Sequence, residues 1–173
     1  RDLRRINRCN GALAGSGAAV LRGGQKLRRA LVWQHRETGL CPTTIGSVNP
    51  DERSWSWQGW SVGWSVAGEH HVNESEETLA VLFIHGFGAN TRHWRFNQPV
   101  LAEQVPCYAI DLLGFGRSDQ PVARLKHEDK VMGAVHYGFE LWGQQVADFC
   151  RDVMKRPVLL VGNSIGGVVA LQA

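Results

Sequence analysis

The segment PVLLVGNSIGGVVALQA at residues 157–173 decides how this chain is read. A short apolar run stops at Gly162, a serine follows two residues later, and two glycines lead into a second apolar run. The spacing predicts a strand, a sharp turn and a helix, with Ser164 at the tip of the turn. Gly162, Ser164 and Gly166 fit the pattern G-x-S-x-G, a nucleophile elbow. A turn this sharp strains the serine backbone, and side chains two positions before and after would crowd it, which glycine avoids by having no Cβ. The serine Oγ then stands clear of the sheet, where it can meet a base on one side and a substrate carbonyl on the other. A chemically inert strand-to-helix turn can carry the same letters in a chain with 20 glycines, so the rest of the sequence has to decide between the two.

Working back from the elbow, residues 140–154 carry Trp142, Val146, Phe149, Cys150 and Val153 at helical spacing, an amphipathic helix closed by Pro157. Residues 107–110 read as a strand ended by Asp111, followed by a glycine-bearing loop to Asp119 and a charged stretch, loop or mobile, over 121–135. Residues 79–85 form an unbroken apolar run, as in a strand buried on both faces of a parallel sheet. Residues 91–104 can form a helix capped by Asn90 or Thr91, with Pro99 delaying or kinking it. Further back, Trp55 and Trp57, then Trp60, Val62, Trp64 and Val66, alternate with period two around Gln58-Gly59, a hairpin. Its four tryptophans fit rings packed on the edge of a core, or an aromatic platform for a ligand. Residues 70–78 are polar and read as a loop. Strands alternating with helices argue for an α/β fold with a mostly parallel sheet and right-handed crossovers.

Length and composition set outer bounds. The 173 residues suit one domain. No run reaches the ~18–20 apolar residues of a membrane span. Cys9, Cys41, Cys107 and Cys150 are scattered, with no zinc spacing, and read as reduced thiols in an intracellular protein. The net charge of +3 divides unevenly: residues 1–50 carry +7 and the remainder −4. The basic character belongs to residues 1–50, so no nucleic-acid surface is expected on the domain at 51–173. Residues 1–50 lack a steady apolar period and are expected to be a disordered leader outside the fold. An organelle transit peptide, a disordered tail and sequence upstream of the true start would all look this way. The expected location is the cytoplasm, or a plastid if the leader is a transit peptide.

Ligands of an open α/β sheet bind at the carboxyl ends of its strands. Three candidate loops lie there: 85–88, 111–119 and 162–166. An acyl-transfer site needs two backbone N–H donors for the developing oxyanion, one after the nucleophile and one from an earlier loop. Ile165 and Phe87, the latter flanked by Gly86 and Gly88, occupy those positions. The G-x-G pairs at 86/88 and 114/116 lack a third glycine, since Thr91 and Asp119 stand there, and no phosphate loop occurs. Asp111 is either a catalytic acid or, as favoured, a carboxylate that accepts loop N–H groups. His85 precedes the oxyanion turn and is expected to fix that loop by a hydrogen bond. The seven histidines show no metal spacing, so neither metal nor cofactor is expected.

HGFG at 85–88, DLLGFGRSD at 111–119 and GNSIGG at 162–167, in that order, resemble the α/β-hydrolase superfamily. WSWQGW, HWRFNQP and LWGQQVADF are similar to plant and cyanobacterial pheophytinase-like members. The resemblance covers about residues 55–173. It implies Ser164 as nucleophile and Phe87 and Ile165 as oxyanion donors. Serine at the elbow speaks against the branches that attack through a carboxylate. The family's later Asp/Glu and His follow the nucleophile, so the chain reads as the N-terminal part of an α/β-hydrolase fold, truncated after the elbow. Alone, it is expected to be inactive and to leave an open sheet edge. The expected activity of the parent protein is hydrolysis of a small-molecule or lipid-like ester. The alternatives are a non-catalytic ligand-binding protein on the same fold, or a cofactor-free haloperoxidase or C–C hydrolase.

Overall fold

A computed structural model describes residues 16–21, 49–73, 78–125, 127 and 133–173. Six strands form one sheet in the order β1-β8-β4-β5-β3-β2. These are β1 (Ser16–Leu21), β2 (Asp51–Trp57), β3 (Trp60–Ala67), β4 (Ala80–Ile84), β5 (Cys107–Ile110) and β8 (Val158–Asn163). The centre, β8-β4-β5, is parallel, and both flanks are antiparallel. The sheet is therefore mixed, with the expected hairpin as one flank. The other flank comes from residues 1–50, expected to lie wholly outside the fold. Ser16–Leu21 pairs antiparallel along β8, so the sheet, expected to carry an open edge, is covered on that side.

Alternation sorts the apolar run of β4 onto two faces. Ala80, Leu82 and Ile84 join one core with Val62, Trp64, Ile110 and Leu160, roofed by Trp142, Val146 and Phe149 of α2 (Phe139–Phe149) and by Val169 and Ala170 of α3 (Ile165–Gln172). Val81 and Phe83 face the opposite way, with Cys107 and Ala109, under Trp94 and Ala102. An apolar run with no polar interruption is what covering both faces requires.

The segment from β4 to β5 is broken more than the sequence suggests. Thr91–Trp94 is a 3-10 turn, capped by Asn90, whose side chain accepts the Arg92 N–H. The α-helix α1 (Gln98–Leu101) starts only at Pro99's first turn, where a missing N–H costs nothing. Glu69–Asn73, overlapping the start of the loop expected over residues 70–78, forms a 3-10 turn. Val122–Ala123 and Ala134–Val135, β6 and β7, pair as a short parallel ribbon inside the stretch expected to be loop. The helix expected to run to Met154 stops at Phe149 and continues as a π-turn over Cys150–Met154. Lys155, left-handed at φ 53°, closes that turn by donating its N–H to Cys150 O.

The tryptophans of the hairpin belong to the core rather than to a ligand platform. Phe149 meets Trp55 and Trp64 edge-on, with ring centres 5.6 and 5.4 Å apart, and Tyr108 at 6.4 Å. Trp57 donates its indole N–H to Asp148. Cys107 and Cys150 are free thiols whose burial pushes them up to about 12, so both stay protonated and unreactive at neutral pH. No helix among the described residues is long and apolar enough to cross a membrane. Because Phe149 ties the hairpin, β5 and α2 together, Phe149→Ala is expected to cost about 3–5 kcal/mol. The drop in urea midpoint at unchanged m-value would report it.

Candidate active site

The strand order reverses beside β4. The segment after β4 crosses one face of the sheet to β5, and the helices on either side of β8 cover the other face. A crevice opens at such a switch point, between the carboxyl ends of β4 and β8. Ser164 lies there, exposed, with φ 55° and ψ −122°. A non-glycine residue in that region carries strain of about 1–3 kcal/mol. The reason for the flanking glycines differs from the expectation that they relieve crowding on the serine itself. A Cβ on Gly162 would collide with the backbone of Gly166, and one on Gly166 with the carbonyl oxygens of Ile84 and His85. The glycines let α3 start in contact with β4, and Ser164 bridges the bend.

The loop after β4 adjoins the elbow. A Cβ on Gly86 would come within 3.2 Å of Ser164 Cβ. Phe87 is 77% exposed and meets Phe115 edge-on at 5.4 Å, and Phe115 in turn packs on Trp142. The N–H of Phe87 and that of Ile165, first residue of α3, make no backbone hydrogen bond among the described residues outside helices and strands.

His85 is fully buried and fixes the loop, as expected. The Leu112 N–H donates to its Nε2 at 3.0 Å, so the ring proton sits on Nδ1, which donates to Gly86 O at 2.7 Å. Burial lowers its pKa. Asp111 takes the structural role favoured for it. Its carboxylate accepts the Thr91 N–H at 2.6 Å and the Arg117 N–H at 2.9 Å, joining the segment after β4 to its own loop. Sequence reading missed three further positioning residues. Gln145, buried on α2, accepts the Leu113 N–H and donates to Asp111 O. Ser118 donates to Asp111 O and accepts from Gly63 N–H. Asn163 donates its side-chain amide to His93 Nε2 at 3.1 Å. An amide on the apolar face of α2 was the only readable signal among them.

Among the described residues no side chain makes a hydrogen bond to Ser164, and no group of three His, Cys, Asp or Glu could hold a metal. Two surface recesses, one beside Glu52 and Arg95 and one beside Arg53 and Lys155, both lie away from Ser164.

A strained serine on a strand–turn–helix, beside a glycine-flanked loop at the switch point of an α/β sheet, defines a hydrolase-type fold. The model of the alpha/beta hydrolase family matches residues 81–173, and the chain belongs to that family. It is 32% identical to the chloroplastic pheophytinase of Arabidopsis thaliana, over 53% of this chain and 23% of that protein. It is 45% identical to the 1-acylglycerol-3-phosphate O-acyltransferase ABHD5 of Rattus norvegicus, over 62% of this chain and 27% of that protein. The thioesterase domain from the curacin biosynthetic pathway superposes with a TM-score of 0.53 at 27% identity, covering 70% of this chain and 39% of that one. The chain spans about a quarter of the length of the curated relatives it matches.

Two predictions follow from this geometry. Gly166→Ala is expected to abolish cooperative folding, because the carbonyls it strikes lie at and just after the end of a central strand. Gly167→Ala, whose Cβ would rest 3.7 Å from Gly162 O, is expected to fold normally. Comparing their melting curves tests the elbow packing. His85 is held neutral, so the unfolded chain, with a histidine pKa of about 6.5, binds its proton first as the pH falls. Its contribution is complete above that pH and declines below it. Stability should therefore fall more steeply below pH ~6.5 in the wild type than in His85→Gln, read from urea midpoints across pH.

Proposed function

We propose that this chain supplies the nucleophile and oxyanion hole of a serine hydrolase that cleaves a carboxylic ester through an acyl-enzyme. The observation that carries the reading is Ser164: exposed, held at φ 55°, and set against the Gly86 turn. Ser164 Oγ attacks the ester carbonyl carbon, and its proton passes to a general base. The backbone N–H groups of Phe87 and Ile165 take the negative charge that develops on the carbonyl oxygen. The ester C–O bond then breaks, and the alcohol leaves with the proton from the base. Water, activated by the same base, adds to the acyl carbon, and the acid departs as Ser164 regains its proton. The base and its acid partner come from parts of the full-length protein outside the described residues.

A second reading differs only in the last step. If a hydroxyl compound takes the place of water, the same acyl-enzyme performs acyl transfer. The 45% identity to a rat protein named as an O-acyltransferase favours testing it.

The test is covalent labelling of the full-length protein with a fluorophosphonate. One equivalent is expected on Ser164, and none in Ser164→Ala. A protein that hydrolyses no ester and takes no label would instead be a binding protein on this fold. Product analysis with and without added glycerol would separate hydrolysis from transfer.

A further inference from the structure

The segment from Thr91 through α1 to Ala102 has two apolar sides, and the core uses one of them. Trp94, Gln98 and Ala102 recur every four residues and are buried. Trp94 stacks on Phe83 with ring centres 4.8 Å apart, and Gln98 donates its amide to Cys107 O. Phe96 and Val100, also four apart, are 69% and 45% exposed. The N–H groups of Asn97, Leu101 and Ala102 bond back three or four residues, so the winding is continuous here. Residues four apart then share a side, and Phe96 and Val100 form an outer apolar stripe. A helical segment apolar on both sides belongs under cover, so the outer stripe needs an occupant. Phe96 meets no other ring among the described residues. Its partner is the Arg95 guanidinium, 4.3 Å from the ring centre.

Charge indicates what the occupant is. Residues 91–102 contain no acid, and Arg92 and Arg95 are both exposed. Arg95 makes no ion pair among the described residues and donates to Arg92 O. Arg92 lies 3.9 Å from Glu52, which Arg117 also approaches at 3.5 Å, so one carboxylate faces two guanidiniums. The next acid along the chain, Glu103, stands past the end of α1. Arg92 and Arg95 also border a recess of about 440 Å³ together with Asn49, Ser65 and Gln98. Protruding apolar side chains beside cations suit a fluid anionic surface, which needs no matching groove. There the ring enters the acyl boundary while the guanidiniums stay at the level of the phosphates. The segment is also tied to the elbow, because His93 bonds Asn163, the residue before Ser164.

We propose that the outer side of residues 92–100 docks this protein on an anionic lipid surface. Phe96 and Val100 enter the acyl boundary, and Arg92 and Arg95 engage lipid phosphates, with the recess between them open to a headgroup. The attachment is peripheral and does not depend on the reaction at Ser164.

Flotation of the full-length protein with lipid vesicles tests the proposal. Vesicles of phosphatidylcholine and phosphatidylglycerol in equal amounts are expected to carry the protein, and vesicles of phosphatidylcholine alone are not. Added salt is expected to weaken the binding. The double variant Arg92→Gln/Arg95→Gln should bind about thirtyfold more weakly, since each cation near an anionic leaflet contributes about fivefold. Phe96→Ser keeps both charges and should bind about tenfold more weakly. Arg151→Gln removes an exposed arginine elsewhere and should bind as the wild type does. These side chains are all exposed, so urea midpoints should stay unchanged and separate lost docking from lost folding. The proposal is overturned if the mixed vesicles do not carry the protein, or if phosphatidylcholine alone carries it equally well. It is also overturned if either patch variant binds as the wild type does, or if Arg151→Gln weakens binding as much as they do. Absence of vesicle binding would assign the stripe to a protein partner instead.

Discussion

The close approach of Gly166 to the carbonyls of Ile84, the last residue of β4, and of His85 just after it is the constraint on which the rest of the structure depends. It lets α3 begin in contact with the centre of the sheet instead of after a connecting loop. With β8 running to Asn163 and α3 starting at Ile165, one residue is left to turn the chain from strand to helix. That residue is Ser164, and its left-handed φ is the geometric cost of the shortcut. Packing elsewhere offsets the strain. Val169 and Ala170 are buried beneath α2, and Gly143 of α2 lies close against Gln172. A local conformation worth about 1–3 kcal/mol in the wrong direction persists only when its surroundings determine it this fully.

The loops around the elbow are held by polar groups, each with a defined partner. Asp111 grips the backbone on both sides of the crevice, through Thr91 and Arg117. Its own carbonyl is held by Ser118 and Gln145. His85 joins the turn that carries Phe87 to the loop that follows β5. In a buried setting an unmatched member of such a network would be costly, so the network favours one arrangement of the three loops. The turn after β4 is thereby placed by a scaffold of buried hydrogen bonds, while Phe87 itself stays open to solvent.

Much of this was readable in the sequence, because the signals were local. The unbroken run of β4, the period-two hairpin, the glycines around Ser164 and the strand-end position of Asp111 each follow from residue type and short-range spacing. What escaped depends on distant contacts. The pairing of Ser16–Leu21 with β8 joins segments more than a hundred residues apart, and glycine-rich residues 11–24 give no alternating pattern to announce a strand. The π-turn after Phe149 hinges on the left-handed Lys155, a residue type with no preference for that conformation. The Asn163–His93 bond and the hold of Gln145 on Asp111 need the folded sheet before they exist.

The same contacts decide which histidines could serve Ser164. Two stand near it in the fold, and both have their Nε2 lone pair in use. His85 accepts the Leu112 N–H there and keeps its proton on Nδ1, directed at Gly86 O. To act as a base it would have to release a buried backbone N–H and become a cation where burial already favours the neutral ring. His93 receives the Asn163 amide on Nε2. Neither arrangement leaves a nitrogen to take the serine proton, and both serve to hold the elbow in place. In the proposed reaction, a base for Ser164 therefore has to approach from the solvent side of the crevice, where Ser164 is exposed.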